Sequence, residues 1–157
     1  MSRLLVLGFL LVLAACQDPK LTLQQPAPEL VALNLAGQAT KLENLRGQPA
    51  LLVFWSSSCG VCLAEMPNFS KLAKTHARQA RVVLINTDKK KPDFKKFAES
   101  YGTDIVWLHD QLDATQARYK VSGTPTFITL DAKGVLVAQH AGSIKAKQLE
   151  ALLKAAL

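Results

Sequence analysis

Apolar positions along the chain follow two rhythms, and each change of rhythm marks an element. Ala50 to Trp55 is an unbroken apolar run, the pattern of a strand buried on both faces. From Cys59 the spacing turns to threes and fours through Met66, Phe69, Leu72, Ala73 and His76, which predicts a helix with one buried stripe. Pro67 falls inside it and leaves the Leu63 carbonyl without its helical donor, so a kink is expected there. Arg81 to Asn86 is a second apolar run, parallel to the first because a helix joins them. Pro92 then opens a helix with Phe94, Phe97, Ala98 and Tyr101 inward, and Gly102 ends it. Ile105 to Leu108 reads as a short strand, Asp113 to Tyr119 as a short helix, and Thr126 to Leu130 as a strand entered through Gly123-Thr124-Pro125. Asp131 to Gly134 turns the chain into Val135 to His140, and a last helix buries Leu149, Leu152, Leu153 and Ala156. Ahead of all this, Leu30 to Leu35 and Gln38 to Leu42 flank Ala36-Gly37 as a β-hairpin, and Asn44 to Pro49 is a turn into the central strand. The predicted fold class is α/β, a central mixed sheet flanked by helices with an N-terminal hairpin.

The first fifteen residues obey neither rhythm. A basic start, Met1-Ser-Arg3, leads into Leu4 to Leu13, apolar except for Gly8. Ten apolar residues are too few for a bilayer core of about 30 Å, so the segment reads as an export signal rather than a span. Gln17 to Pro28 is polar, carries three prolines and has no period, which reads as a tether. The predicted organisation is therefore 1–15 signal, 16–28 tether and 29–157 one domain, a length that supports a core. Removing 1–15 takes Arg3 and no acid from 19 basic and 12 acidic residues, leaving a net +6. That balance fits a solvated surface, with anionic lipid or an acidic partner as alternatives; no nucleic-acid partner is expected. The Lys89-Lys-Lys91 run, with Lys95 and Lys96, reads likewise as a solvated face, or else a docking patch.

Chemistry concentrates at Cys59-Gly-Val-Cys62, where a buried strand turns into a helix. The first N–H groups of that helix lack intrahelical partners and its dipole is positive there, so a thiolate on Cys59 is stabilised. An unperturbed thiol of pKa about 8.5 is only ~3% ionised at neutral pH, which makes such placement matter. Cys62, one turn on, is placed to resolve a mixed disulfide. A CxxC also serves zinc and iron–sulfur sites, but a closed zinc site wants four ligands. Once Cys16 is set aside, the chain offers two cysteines and three scattered histidines, His76, His109 and His140, read as bystanders. No metal and no cofactor beyond the cysteine pair is expected.

The conjunction of CxxC after a buried strand, Pro67, and Gly-Thr124-Pro125 before a later strand resembles a thioredoxin fold. Phe54-Trp55, Cys62-Leu-Ala-Glu65-Met-Pro67, the extra helix–strand unit from Asp88 to His109, and Val121-Ser-Gly-Thr-Pro125-Thr are similar to the membrane-anchored TlpA/ResA-like thiol–disulfide oxidoreductases. The resemblance covers most of Pro28 to Leu157. It implies a cis Pro125 beside the cysteines, with the Thr124 backbone turned outward for an extended client to pair with. It also implies an extracytoplasmic protein that reduces disulfides in client proteins, such as apocytochromes or copper-site proteins, with electrons from a membrane thiol carrier. Glu65 stands where these relatives carry an active-site acid, and a carboxylate there would raise a cysteine pKa or pass protons. The alternative for Glu65 is a solvated helix position. Val53 occupies the place of thioredoxin's buried aspartate.

Two departures bear on function. Ser58 precedes the first cysteine where many relatives have Trp, leaving Trp55 as the candidate substrate contact, with core packing as its alternative. Between the cysteines stand Gly60-Val61, with no histidine to strengthen oxidising power, which leans toward a reductant. Leu13-Ala-Ala-Cys16 resembles the lipobox of bacterial lipoproteins, implying lipidation of Cys16 and membrane anchoring in the periplasm or on the outer surface. A copper- or zinc-carrying chaperone and a disulfide-introducing oxidant remain the competing functions.

Overall fold

The structure, a computed structural model, describes residues 21–157. The signal segment 1–15 and Cys16 lie outside the described residues.

Seven strands form one mixed sheet in the order β2-β1-β5-β4-β3-β6-β7. At its centre β3 (Ala50–Trp55) runs parallel to β4 (Arg81–Asn86), and β4 runs parallel to β5 (Ile105–His109). β6 (Thr126–Leu130) pairs antiparallel with β3, and β7 (Leu136–Ala141) antiparallel with β6. The hairpin β1 (Val31–Leu33) and β2 (Ala39–Lys41) joins the other edge through β5. Its strands are shorter than the apolar pattern implies. Asn34 Oδ1 accepts the N–H groups of Ala36 and Gln38, both at 2.9 Å, and so opens a wider turn.

Every residue of β3 is buried, because side chains alternate into two separate cores. Leu51, Val53 and Trp55 join Cys62, Met66, Phe69, Phe127, Leu149 and Leu153 under α1 (Gly60–His76), α2 (Phe94–Tyr101) and α4 (Ala146–Lys154). Ala50, Leu52 and Phe54 join Leu30, Leu42, Leu45, Tyr119, Leu130 and Leu136 on the opposite face, beside α3 (Ala114–Arg118). Helix α1 continues through Pro67 as one element.

Four expectations change. Asn44 to Pro49 is not simply a turn: Leu42–Leu45 form a 3-10 turn that buries Leu42 and Leu45. Pro92 stays outside α2, because the Asp93 carboxylate accepts the Lys96 N–H at 3.2 Å and caps the helix one residue later. Ala156 lies past the end of α4 and is half-buried. The end of the tether is the largest correction, the tether's residues 16–20 lying outside the described residues. Gln24 and Ala27 donate to the carbonyls of Leu136 and Gly134 at 2.8 and 2.9 Å, and Leu136 donates to Gln25 at 2.9 Å. These are backbone bonds, so the polar side chains gave no sign of them. The buried Tyr119 hydroxyl then holds the Pro28 carbonyl at 2.8 Å. Burial, and then the Glu29 carboxylate, push the Tyr119 phenol well above its ordinary pKa, so it stays a donor. The folded unit thus begins ahead of Glu29.

Candidate active site

Buried polar residues gather where the central strands end. Asn86, His109 and Thr126 close β4, β5 and open β6, all within 3% of full burial. Strand register sets Asn86 opposite both Trp55 and His109, so one row of residues forms the floor of this end. Ligands of open α/β sheets bind at this carboxyl end.

Cys59 is the N-cap of α1, with extended backbone (φ −85°, ψ 99°). Its Sγ accepts the Cys62 N–H at 3.1 Å, in the position an oxygen usually fills. A thiolate there would receive a charge-assisted bond and the positive end of the helix dipole. Cys59 and Cys62 are joined as a disulfide with Cα atoms 5.2 Å apart. Their exposure differs: Cys62 is fully buried in the core, whereas Cys59 is half-buried at the rim. A visiting sulfur can therefore reach Cys59 and not Cys62.

On one side of Cys59 lies the loop before β6. The Thr124–Pro125 peptide is cis, and Cys59 Sγ is 3.6 Å from the Thr124 carbonyl oxygen. Pro125 is buried and Thr124 half-buried. The Gly142 N–H holds the Pro125 carbonyl at 2.8 Å, and Thr126 Oγ1 holds that of Gly123 at 2.7 Å. Beside Thr124 a groove of about 490 Å³ runs between Thr87, Asp113, Gln116 and Gly123. Val61, 47% exposed, and Leu63 add exposed apolar surface on the first turn of α1.

On the other side lies a residue that sequence reasoning missed. Asp88 accepts the Ser56 hydroxyl on Oδ1, and the Ser57 N–H and Asn86 Nδ2 on Oδ2, each at 2.9 Å. Burial works to raise the Asp88 carboxyl pKa, but the bonds from Ser56, Asn86 and Ser57 outweigh it and hold the group below its ordinary value. The signal available was Asn86 ending an otherwise apolar strand, with an aspartate two residues on.

The remaining predicted residues separate. Trp55 is not a substrate contact: it is wholly buried, with its ring 4.9 Å from Phe97 and 6.2 Å from Trp107. The period of β3 turns it into the core. Glu65 is half-buried one turn beyond Cys62, and its Oε2 accepts Asn68 Nδ2 at 2.8 Å rather than meeting a sulfur. His109, read as a bystander, donates from Nε2 to the Asp88 carbonyl at 2.7 Å. Lys89 pairs with Asp113, and Lys91 donates to the Leu35 carbonyl at 3.3 Å. Among the described residues, no cluster of three or more His, Cys, Asp or Glu is placed to hold a metal ion.

The Redoxin family pattern matches residues 22–155. The chain belongs to the Redoxin family. The thioredoxin-like protein YneN of Bacillus subtilis (strain 168) is 33% identical over 129 residues, 80% of this chain and 75% of that protein. The thiol-disulfide oxidoreductase ResA of Bacillus thuringiensis (strain Al Hakam) is 29% identical over 136 residues, 86% of this chain and 79% of that one. Among solved structures, the pneumococcal exposed lipoprotein thioredoxin (Etrx1) of Streptococcus pneumoniae strain TIGR4 matches with a TM-score of 0.68 and 25% identity. That match covers 81% of this chain and 98% of that one. The expected thioredoxin-like fold is thus found, and this Redoxin-family chain is a thiol–disulfide oxidoreductase of the ResA type.

Proposed function

We propose that this oxidoreductase works outside the cytoplasm, anchored by lipid on Cys16, and reduces disulfides in client proteins. The observation that carries the reaction is the asymmetry of the pair: Cys59 is reachable and capped, and Cys62 is buried behind it. In the reduced protein the Cys59 thiolate attacks one client sulfur. An S–S bond forms between Cys59 and the client, and the client's other sulfur leaves as a thiolate. Cys62, as thiolate, then attacks Cys59 Sγ and releases the second client sulfur. Two electrons pass to the client, and the Cys59–Cys62 disulfide is the product. A membrane thiol donor returns it to the dithiol. The Thr124 carbonyl, 3.6 Å from Cys59 Sγ, lies where an extended client segment can pair as an added strand.

The anchor rests on the residues before the fold. Leu13-Ala-Ala-Cys16 has the lipobox pattern, and one structural relative is described as an exposed lipoprotein. No helix among the described residues is long and apolar enough to cross a membrane.

Two measurements test the reading. Cys62→Ser, which cannot resolve, accumulates mixed disulfides through Cys59 with clients in an extracytoplasmic extract; absence of any adduct removes the client-reducing role. Equilibration against a glutathione series places a reductant nearer the potential of thioredoxin, about −270 mV, than that of DsbA, about −120 mV. A value at the upper end makes the protein an oxidant instead.

A further inference from the structure

We propose that Asp88 is a positioning residue for Cys59: its carboxylate fastens the Ser56–Ser58 turn, and so keeps the attacking sulfur at the cap of α1. The chain of contacts starts in the sheet. Asn86 and His109 are buried strand ends in register. Asn86 Oδ1 accepts the Asp88 N–H at 3.1 Å, its Nδ2 donates to Asp88 Oδ2 at 2.9 Å, and His109 Nε2 donates to the Asp88 carbonyl at 2.7 Å. Asp88 is thereby fixed at both backbone and side chain.

The carboxylate passes this order to the turn. An ionised carboxylate only accepts, so the single Ser56 hydroxyl proton goes to Asp88 Oδ1. Ser56 Oγ is left as an acceptor. It takes the Ser58 N–H at 3.2 Å and the Ser58 hydroxyl at 2.8 Å. Meanwhile Asp88 Oδ2 holds the Ser57 N–H at 2.9 Å, and the turn closes with the Cys59 N–H on the Ser56 carbonyl at 3.1 Å. Each of the three serines before Cys59 therefore answers, directly or through Ser56, to one carboxylate. Nothing comparable orders the Gly60-Val61 side, which is plain helix.

A carboxylate could act instead as a bare charge, repelling a thiolate on Cys59. The two roles differ in sign. Removing a repelling charge makes the thiolate form more easily, whereas removing a clamp makes it form less easily because the capping geometry loosens.

The inference rests on Cys59 being the attacking thiol, and its test is the pH profile of Cys59 alkylation in the reduced protein, with the modified cysteine located by mass spectrometry. Asp88→Ala is expected to raise the midpoint by about half a pH unit or more, so that alkylation below the midpoint slows about threefold. Asp88→Asn keeps one acceptor oxygen and shifts it less, in the same direction; it carries the test if Asp88→Ala does not fold. In a Ser56→Ala background the Asp88→Ala shift falls to less than half, because the hydroxyl hub is already gone. A midpoint that stays put or drops in the folded variants overturns the proposal, as does full additivity with Ser56→Ala. Modification of Cys62 ahead of Cys59 in the parent protein overturns the attack assignment itself, and the clamp with it.

Discussion

The two ends of β3 and β4 are both sealed by polar residues, but in opposite ways. At the amino end Arg81 Nη1 donates to the Asn44 carbonyl at 2.7 Å and Nε to Gln48 Oε1 at 3.1 Å, while Gln48 Nε2 reaches the Arg78 carbonyl at 3.2 Å. These are long, half-buried side chains, and two of their three bonds end on backbone. At the carboxyl end the side chains are short and bonded to one another, running from buried Asn86 through half-buried Asp88 and Ser56 to the exposed part of the loop that carries Cys59. Long side chains that end separately close a sheet cheaply and reversibly, contributing roughly 1 kcal/mol or less per bond. Short ones rooted in a buried residue hold a geometry that chemistry can use, and breaking them at that root leaves a costly gap.

That contrast can be pressed experimentally. Asn86→Leu should have the largest effect. It leaves the Asp88 N–H and carboxylate each short of a partner, so a loss of about 2–4 kcal/mol in denaturant unfolding is expected, with slowed Cys59 alkylation. A loss under 1 kcal/mol would make the two ends alike. Acidification comes next. The Asp88 carboxyl is held below its ordinary value of 3.8, so its contribution is fully present above that value and is lost as pH falls through the lowered one. Melting temperature followed from pH 5 downward should therefore decline less steeply in Asp88→Asn than in the parent. Parallel curves would show that Asp88 is not linked to folding. The smallest effect belongs to Arg81→Ala: about 1 kcal/mol or less of stability, and no movement in the alkylation profile. A shifted profile would mean that the amino end also reaches the cysteines.

Much of this is legible in the amino-acid sequence. Ala50–Trp55 and Arg81–Asn86 were read with their observed limits because a strand covered on both faces must be apolar throughout. Cys59 and Cys62 were legible from their spacing after a buried strand, and the Thr124–Pro125 pair through the thioredoxin-fold resemblance that these motifs carry together. Asp88 was not. Two residues past a strand, an aspartate resembles any solvated loop residue, and only strand register brings it to Ser56. The docking of Gln24 to Ala27 along Gly134 to Leu136, at the entrance to β7, was invisible because backbone atoms, common to every sequence, make its bonds. Trp55 was ambiguous since an unbroken apolar run shows burial on two faces without separating a core ring from one at the rim.

The burial of Trp55 has a practical consequence. The chain has two tryptophans, and both stand in one aromatic cluster that shares its core with Cys62. Tryptophan emission therefore originates from a single region of the core that also holds Cys62, so recording it before and after reduction tests for an optical readout of dithiol against disulfide with no added dye.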